Sequence, residues 1–558
     1  MFLNKPDTRS SHLLFAALFA VPTLLALFSA FPGIGATFLA DDHVLVETGR
    51  TIVEHDPLLP FRGHFSGSVA PGLPAYYRPL FALSFAWDHF VWDYNPFGYH
   101  LTNVILHLAN TGLLYVLLRR IVTRDETALP WLSATFFAVH PLHDLAVNWI
   151  SGRGDLLCAF FMLCSVWLFL IFLQRGSRVA FLFSCISGMC AMASKETALV
   201  LPAILIGFWV TCLPSSFSSS EVWAVVKPMA PFAALALFFI VTRLYLFGYD
   251  AFFPSHAGGV IQNCFWTLRR LIFPWTISLK EMVRIHPIVL FGLSLGFVLV
   301  FLPLVPRMKK RLALFGLVWL ALTFLPVATL ANPWRVYVPT IGFCILLGVL
   351  TQPTRNIKGK FALAATVLFL LISGVELKDR FHAWRLADNA ARNIEKDFVF
   401  SYQAGANYSP IFLCIPGMIG DIPVYMFGLD IRLRWAIGRQ DLSPVVCSYV
   451  VLPPAYDPRA ITLTRESDTV WRIALSDPRS RFEFPDIPEW SSATGMLQTG
   501  MTHTTFWGTV EISGVNAAGK ANEIVVDITP RYLEGQRQVY FFSNGRLRAE
   551  PVAKGDLS

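Results

Sequence analysis

The sequence predicts a polytopic α-helical membrane protein with a C-terminal β-rich soluble domain, and three observations carry that prediction. The chain is 54% hydrophobic and only 15% charged, with a mean hydropathy of +0.53, which excludes an ordinary soluble protein. Apolar runs long enough to cross a bilayer recur over its first two thirds. Beyond them the pattern changes to short apolar runs separated by turn residues.

About eleven spans are expected, near residues 13–31, 101–118, 130–139, 156–173, 179–193, 199–213, 228–247, 287–304, 312–330, 336–350 and 361–372. Several are short or carry proline, which suits tilted or broken spans. The first run ends in small residues, as a signal peptide would, but cleavage there would leave no plausible start for the following loop, so it is expected to stay as a span. Basic residues set the orientation. Lys5 and Arg9, Arg119-Arg120 with Arg124, Arg175 with Arg178, Arg307 with Lys309-Lys310-Arg311, and Arg355 with Lys358 and Lys360 mark cytoplasmic segments. An odd span count then puts the loop after the first span and the C-terminal region outside. Arg269, Arg270, Lys280 and Arg284 resist this pattern. The length of their loop weakens its topological vote, and phosphate binding would account for them. The formal net charge of +8 is mostly the inside bias, and nucleic acid is not an expected partner.

Residues 1–375 form the expected membrane module, with a first extracytoplasmic loop at 41–98; residues 376–400 form a connecting helix and 401–558 a β-rich domain of roughly 150 residues. The aromatic stretch from Ala75 to Trp92 suits a helix in the membrane interface, and its aromatics read as an interfacial belt rather than a sugar-stacking surface. In the tail, Pro416-Gly417, Asp457-Pro458-Arg459 and Asn544-Gly545 read as turns, and 523–528 and 538–542 as strands. Cys158, Cys164, Cys185, Cys190, Cys212 and Cys344 fall in spans as packing residues, while Cys414 and Cys447 are a candidate disulfide in an oxidising compartment. No Cys/His spacing suggests zinc.

The chemistry-bearing residues gather at the outer ends of spans. The acidic pair Asp41-Asp42 follows the first span. Downstream stand Tyr77-Arg78-Pro79, Gly98-Tyr99-His100 with His107, His140-Pro141-Leu142-His143-Asp144 followed by Arg153 and Asp155, Lys195-Glu196, and Arg335-Val336-Tyr337. Each has a bland reading. The histidines suit packed helix-end positions, Arg153 with Asp155 a structural pair at a helix start, and Lys195-Glu196 an ion pair bracing two spans. Arg78 and Arg335, beside aromatic and proline-fixed backbone, suit a lipid phosphate.

These motifs, "YYRPL…GYHLTNVILH", "FFAVHPLHDLAVNWISGRGDLL", "SKETALVLP" and "WRVYVPTIGF", resemble those of the GT-C glycosyltransferases of the transmembrane-and-tetratricopeptide-repeat O-mannosyltransferase type. More distantly, the acidic pair followed by His43 resembles the first loop of protein O-mannosyltransferases. The resemblance covers the first 390 or so residues, as estimated from the motif positions. It departs in three places. No tetratricopeptide repeat is visible, Asp144 stands where many relatives have Glu, and Trp334 precedes Arg335 where an acidic residue is common.

The resemblance implies a GT-C fold and transfer of a sugar from a polyprenyl-phosphate carrier to an extracytoplasmic acceptor, a protein hydroxyl or a glycan. The chemistry of the residues agrees. A phosphate-linked sugar has a good leaving group, so the acceptor hydroxyl needs only a carboxylate base, and the departing phosphate needs fixed positive charge. Asp41 is the expected base of an inverting transfer, with Asp42 orienting it or helping to hold a cation. Arg78, Arg335, Arg269 and Arg270 are candidate phosphate ligands. His140, His143, Asp144, Arg153, Lys195, Glu196 and Tyr337 are candidate substrate-site residues. Two adjacent carboxylates ligate divalent metals but alone make a poor cage, which leaves metal dependence open. The runner-up is a transferase acting on lipid-linked glycans or glycolipids. A transporter or flippase would instead place its charges at the bilayer midplane within repeated halves, and no such repeat is visible. The expected location is the bacterial inner membrane with a periplasmic active site, or the endoplasmic reticulum in a eukaryote.

The orientation is testable by labelling single cysteines from either side of the membrane. Positions 119, 309 and 358 are expected to react only from the cytoplasmic side and position 41 only from the other; the reverse at 309 would overturn the topology.

Overall fold

An apolar segment in lipid has no water to bond, so its backbone must satisfy itself, and a helix does so within one segment. The computed structural model describes residues 22–28, 34–63, 76–123, 126, 128–212, 223, 226–248, 271, 307–327, 335–351, 357–402, 410–420, 422–425, 428–453, 457–484, 497–529, 538–543 and 546–551. The chain divides into two units, one of Met1–Gly35 with Leu45–Arg380 and the other of Ala36–Val44 with Phe381–Ser558.

The longer helices among the described residues are α1 (Asp42–Glu54), α2 (Pro79–Trp92), α3 (Pro96–Ile121), α4 (Ala128–Val139), α5 (Arg153–Arg175), α6 (Arg178–Ser194), α7 (Leu201–Cys212), α8 (Ala230–Phe247), α9 (Arg307–Phe324), α10 (Tyr337–Leu350) and α11 (Ile357–Ser401). Among the described residues, Pro96–Ile121, Ile150–Arg175 and Lys227–Phe247 are long and apolar enough to cross a membrane. Ala128–Val139, Arg178–Ser194, Glu196–Cys212 and Tyr337–Leu350 are shorter apolar helices. The expected run at 287–304 and most of that at 13–31 lie outside the described residues.

Local chemistry sets the helix ends. Proline opens α2 and α3, where no N–H is needed, and the Asn95 side chain accepts from Phe97 N at the start of α3. Gly176, in the left-handed region at φ 65°, stops α5. Ser177 then caps α6 by accepting from Ala180 N. The core of the first unit includes Phe136, Phe169, Phe208, Phe315 and Trp319, all at most 1% exposed. Helices α9 and α10 cross closely through paired glycines. A Cβ on Gly316 would lie 2.7 Å from the Gly342 carbonyl oxygen, and one on Gly342 would strike that of Gly316. The Trp319 indole donates to Val338 O at 2.9 Å beside this crossing.

Helix α11 differs from expectation. A span at 361–372 and a separate connecting helix at 376–400 are expected, yet one helix of 45 residues runs through both, about 68 Å long. No proline interrupts it, and a change from apolar to charged composition alters a helix's surroundings without ending it.

In the second unit, the described residues form two sheets. The seven-stranded one has the order β12 (Arg546–Pro551), β11 (Gln538–Ser543), β1 (Ile411–Ile419), β4 (Tyr449–Leu452), β7 (Arg481–Glu483), with β2 (Ile422–Pro423) and β3 (Val445–Val446) also pairing β1. The five-stranded one has the order β5 (Ile461–Arg465), β6 (Val470–Leu475), β10 (Ala521–Ile528), β9 (Gly508–Val515), β8 (Thr502–Thr504). Strand β1 (Ile411–Ile419) is buried along nearly its whole length and pairs in parallel with β11 (Gln538–Ser543) and β4 (Tyr449–Leu452). That is the pattern of a strand covered on both faces. Strand β6 (Val470–Leu475) alternates buried and half-exposed residues, as a strand with one buried face does. The expected strands at 523–528 and 538–542 fall within β10 (Ala521–Ile528) and β11.

Two expectations fail here. Pro416-Gly417 is not a turn but the interior of β1, where the register with β4 shifts between Pro416 and Met418. The irregularity falls where proline, lacking an N–H, cannot donate to the ladder. Cys414 and Cys447 are buried thiols not joined in a disulfide. Asn544-Gly545 lies outside the described residues.

Gly342→Leu is expected to destabilise the purified protein by about 1–3 kcal/mol, the usual cost of overpacking, read as a lower melting temperature. Gly374→Ala in α11, where nothing lies within 4 Å of an added Cβ, is expected to be neutral or slightly stabilising.

Candidate active site

In the second unit, the acidic pair sits on a tightly held turn. Ala40 has φ 47°, a region that non-glycine residues rarely enter. Its N–H donates to Val424 O at 2.7 Å, and its carbonyl accepts from His43 Nδ1 at 3.0 Å. Gly428, at φ 78°, passes so close that a Cβ there would be 2.6 Å from the Ala40 oxygen. Asp42 is 1% exposed, and its Oδ2 accepts from Leu39 N at 3.0 Å. Asp41 is half-buried. One carboxylate therefore locks the turn while its neighbour reaches solvent.

His43 is fully buried among Phe38, Tyr425 and Trp435, with ring centroids 5.5–6.1 Å away. Burial, reinforced by the Arg432 charge, pulls its pKa down to about 3 against the pull of its bond to Ala40. It stays neutral, with Nδ1 protonated to hold the Ala40 carbonyl.

In the first unit, positive charge collects around Tyr76. Arg78 makes a two-pronged pair with Glu196, from Nε to Oε2 at 2.9 Å and from Nη2 to Oε1 at 2.6 Å. Its Cζ lies 4.1 Å from the Tyr76 ring centroid, and that of Arg243 lies 5.5 Å away. Arg335 Nη2 donates to the Tyr76 hydroxyl at 3.2 Å, and among the described residues Arg335 has no carboxylate partner. Burial by itself raises the Tyr76 phenol, but Arg335 and Arg78 more than offset it, and its pKa ends below the ordinary value. Among the described residues, Arg78, Arg243 and Arg335 thus gather around Tyr76, with Glu196 paired to Arg78.

The other sequence candidates form pairs inside the first unit. Arg153 is fully buried and satisfied. It meets Asp88 Oδ2 at 2.5 Å and donates to Asn103 Oδ1 at 2.9 Å, Tyr99 O at 2.9 Å and Ser84 O at 3.2 Å. It ties α2, α3 and α5 together. Lys195 pairs with Asp155 at 2.5 Å. Asp144 pairs with Arg380 at 2.8 Å, whose Nε is 3.4 Å from Glu376. The bland readings of these residues as structural pairs change partner: Arg153 takes Asp88 rather than Asp155, and Lys195 takes Asp155 rather than Glu196.

His140, His143 and Tyr337 come together with His107 in the bundle interior. Asn110 donates to the Tyr337 hydroxyl at 3.2 Å, which bonds His107 Nδ1 at 2.8 Å. His143 Nε2 is 2.6 Å from Thr340 Oγ1, and His140 Nε2 donates to Leu271 O at 3.1 Å. All three histidines are at most 1% exposed.

Arg269, Arg270 and Trp334 lie outside the described residues. Tyr76, Asp88, Arg243 and Arg380 escape the sequence reading. Arg243 had a signal, since it is a lone charge within an apolar run and such residues seldom stand there without purpose. Among the described residues no group of three or more His, Cys, Asp or Glu converges as a metal site. One oxygen of Asp42, Oδ2, is taken by the Leu39 N–H.

No family model matches the chain. Its sequence relatives are the O-mannosyltransferases that its motifs resemble. Human protein O-mannosyl-transferase TMTC2 is 31% identical over 179 residues, which are 31% of this chain and 21% of that protein. Human protein O-mannosyl-transferase TMTC1 is 22% identical over 416 residues, 60% of this chain and 45% of the relative. Drosophila melanogaster protein O-mannosyl-transferase Tmtc3 is 23% identical over 448 residues, 62% and 47%. The chain covers less than half the length of each of these relatives. Among solved structures, ArnT from Cupriavidus metallidurans in the apo state is 12% identical with a TM-score of 0.46, over 79% of this chain and 93% of that one. The archaeal oligosaccharyltransferase AglB from Archaeoglobus fulgidus is 9% identical with a TM-score of 0.42, over 80% and 70%.

His43 gives the turn a pH signature. The unfolded chain takes up a proton near pH 6.5 and the folded one only near 3, so the contribution of His43 to stability is complete above about pH 6.5 and is lost as pH falls towards 3. His43→Asn keeps an N–H donor without the titration. The difference in denaturation midpoint between the two proteins is expected to change across that window and to be flat above it.

Proposed function

We propose that the chain is a membrane glycosyltransferase that moves a sugar from a polyprenyl-phosphate carrier to an acceptor hydroxyl outside the cytoplasm. The observation that carries this reading is the arginine cluster around Tyr76 and Glu196, with Arg335 free of any carboxylate among the described residues. The full membrane module has eleven spans, and the reaction takes place at the periplasmic face of an inner membrane. The names of the relatives make mannose the first sugar to try and a protein hydroxyl the first acceptor.

Each residue then has a role. Asp41 accepts the proton of the acceptor hydroxyl as that oxygen bonds to the anomeric carbon from the face opposite the phosphate. The bond from anomeric carbon to phosphate oxygen breaks, configuration inverts, and the polyprenyl phosphate leaves with the electron pair. Arg335 and the remaining nitrogen of Arg78 bind the phosphate oxygens, and Arg243 adds charge behind them. Asp42 holds the turn that presents Asp41. Arg153, Lys195 and Asp155 keep the helix ends in place. Glu196 orients Arg78, and the interior histidines with Tyr337 brace the bundle.

Asp41→Asn is expected to lower transfer from a polyprenyl-phosphate mannose by roughly a hundred-fold to ten-thousand-fold, the range for a lost general base, in a protein that still purifies intact. Near-normal turnover would remove Asp41 from the mechanism. Arg335→Lys keeps the charge but loses the planar fork, and it is expected to raise the donor KM by about ten-fold or more with acceptor KM unchanged. An equal effect on both substrates would mean that Arg335 serves the fold rather than the phosphate.

A further inference from the structure

Away from the arginine cluster, other helix ends line a basic cavity. It has a volume of about 210 Å³ and is lined by Arg120, Glu126, Lys309 and Arg311, with Leu129 and Phe208 on its apolar side. This is several times the ~30 Å³ share of a liquid water. It gathers the C-terminal end of α3, the C-terminal halves of α5 and α7 and the first turns of α9. Along α5, Asp155 of the arginine end and Gln174 of this cavity are separated by about 28 Å, close to the thickness of a bilayer's hydrocarbon core. By the positive-inside pattern, this cavity is at the cytoplasmic face.

Its charges are only partly matched. Lys309 reaches Glu126 at 3.3 Å. Arg120 donates to the neutral side chain of Gln174 at 2.9 Å. Arg311 is exposed and has no ion-pair partner among the described residues. Among the described residues, three cations of the lining thus face one carboxylate. The arrangement is also wrong for the helix itself, because Arg307, Lys309, Lys310 and Arg311 crowd the N-terminal turns of α9, where the macrodipole disfavours positive charge. Inside bias explains why cations lie on this face. It does not explain why they line a cavity with an apolar wall between helix ends. A phosphate at the mouth with an acyl chain along Leu129 and Phe208 answers both features.

We infer that this cavity binds the phosphodiester headgroup of an anionic lipid of the cytoplasmic leaflet. The bound lipid bridges α3, α5, α7 and α9 at the end of the bundle away from the arginine cluster. The inference does not depend on the reaction proposed above, since its readout is lipid retention.

The test uses the full chain purified in mild detergent, exposed to equal amounts of phosphatidylglycerol and phosphatidylcholine, with retained lipid counted by native mass spectrometry. The wild type is expected to retain phosphatidylglycerol preferentially. Replacing Arg120, Lys309 and Arg311 together by Gln is expected to abolish the preference, with a loss of roughly five-fold per cation. Arg178→Gln, which removes a cation from the same face outside the cavity, is expected to leave it intact. A preference that survives the triple change, or one that Arg178→Gln weakens equally, would overturn the assignment in favour of general surface charge. Inorganic phosphate that raises the melting temperature as much as phosphatidylglycerol would overturn the lipid in favour of a soluble anion. If the triple variant does not fold, Arg311→Gln alone, at an exposed side chain with no ion pair, is expected to reduce the preference about five-fold, and no change would count against the cavity.

Discussion

A charge inside an apolar helix bundle needs a counter-charge, and this constraint organises the first unit. An unpaired ion in such surroundings costs several kcal/mol, so Asp88, Asp144, Asp155 and Glu196 each stand against a cation. Arg153 satisfies the constraint most fully, with every nitrogen bonded and its plane 4.4 Å from the Phe85 ring centroid. Buried pairs of this kind contribute little net stability over apolar residues of the same shape. They do specify which helix ends meet, because any other arrangement strands a charge.

Once the paired charges are accounted for, the exceptions identify the binding chemistry. Among the described residues Arg335 bonds a phenol hydroxyl and no carboxylate, and that phenol sits in a potential positive enough to overcome its own burial. The same accounting separates the two adjacent aspartates. Asp42 is buried and bonded to the backbone three residues before it, while Asp41 keeps access to solvent. The strained Ala40 between Leu39 and Asp41 persists because Val424, His43 and the close passage of Gly428 over-determine it. Backbone strain held by several independent contacts beside an accessible carboxylate is a common feature of functional turns.

The apolar helices also give the first unit two chemically distinct ends. Helix α5 carries Asp155 at one and Gln174 at the other, and cations cluster at both. At one end they surround a tyrosine and a glutamate; at the other they line a cavity with an apolar wall. Both concentrate positive charge, and they differ in the side chains around it.

The sequence by itself determined the class of the molecule and the positions of its apolar helices, because hydrophobic length and periodicity are local properties. It also singled out Asp41, Arg78 and Arg335 as candidates, since they stand in motifs that can be read in order. A lone Arg243 in an apolar run was legible as well, by the same rule that charges in such runs need a purpose. Reading Arg153 with Asp155 and Lys195 with Glu196 as pairs used only their closeness along the chain. Which partners replace them was decided only by the tertiary structure. Asp88 lies 65 positions before Arg153 and Glu196 lies 118 after Arg78, and nothing local encodes a contact at that separation. The bulge at Pro416 and the unbroken α11 were hidden for the same reason. A strand accepts proline, and a helix accepts a change of polarity, only when the neighbours around them make it possible.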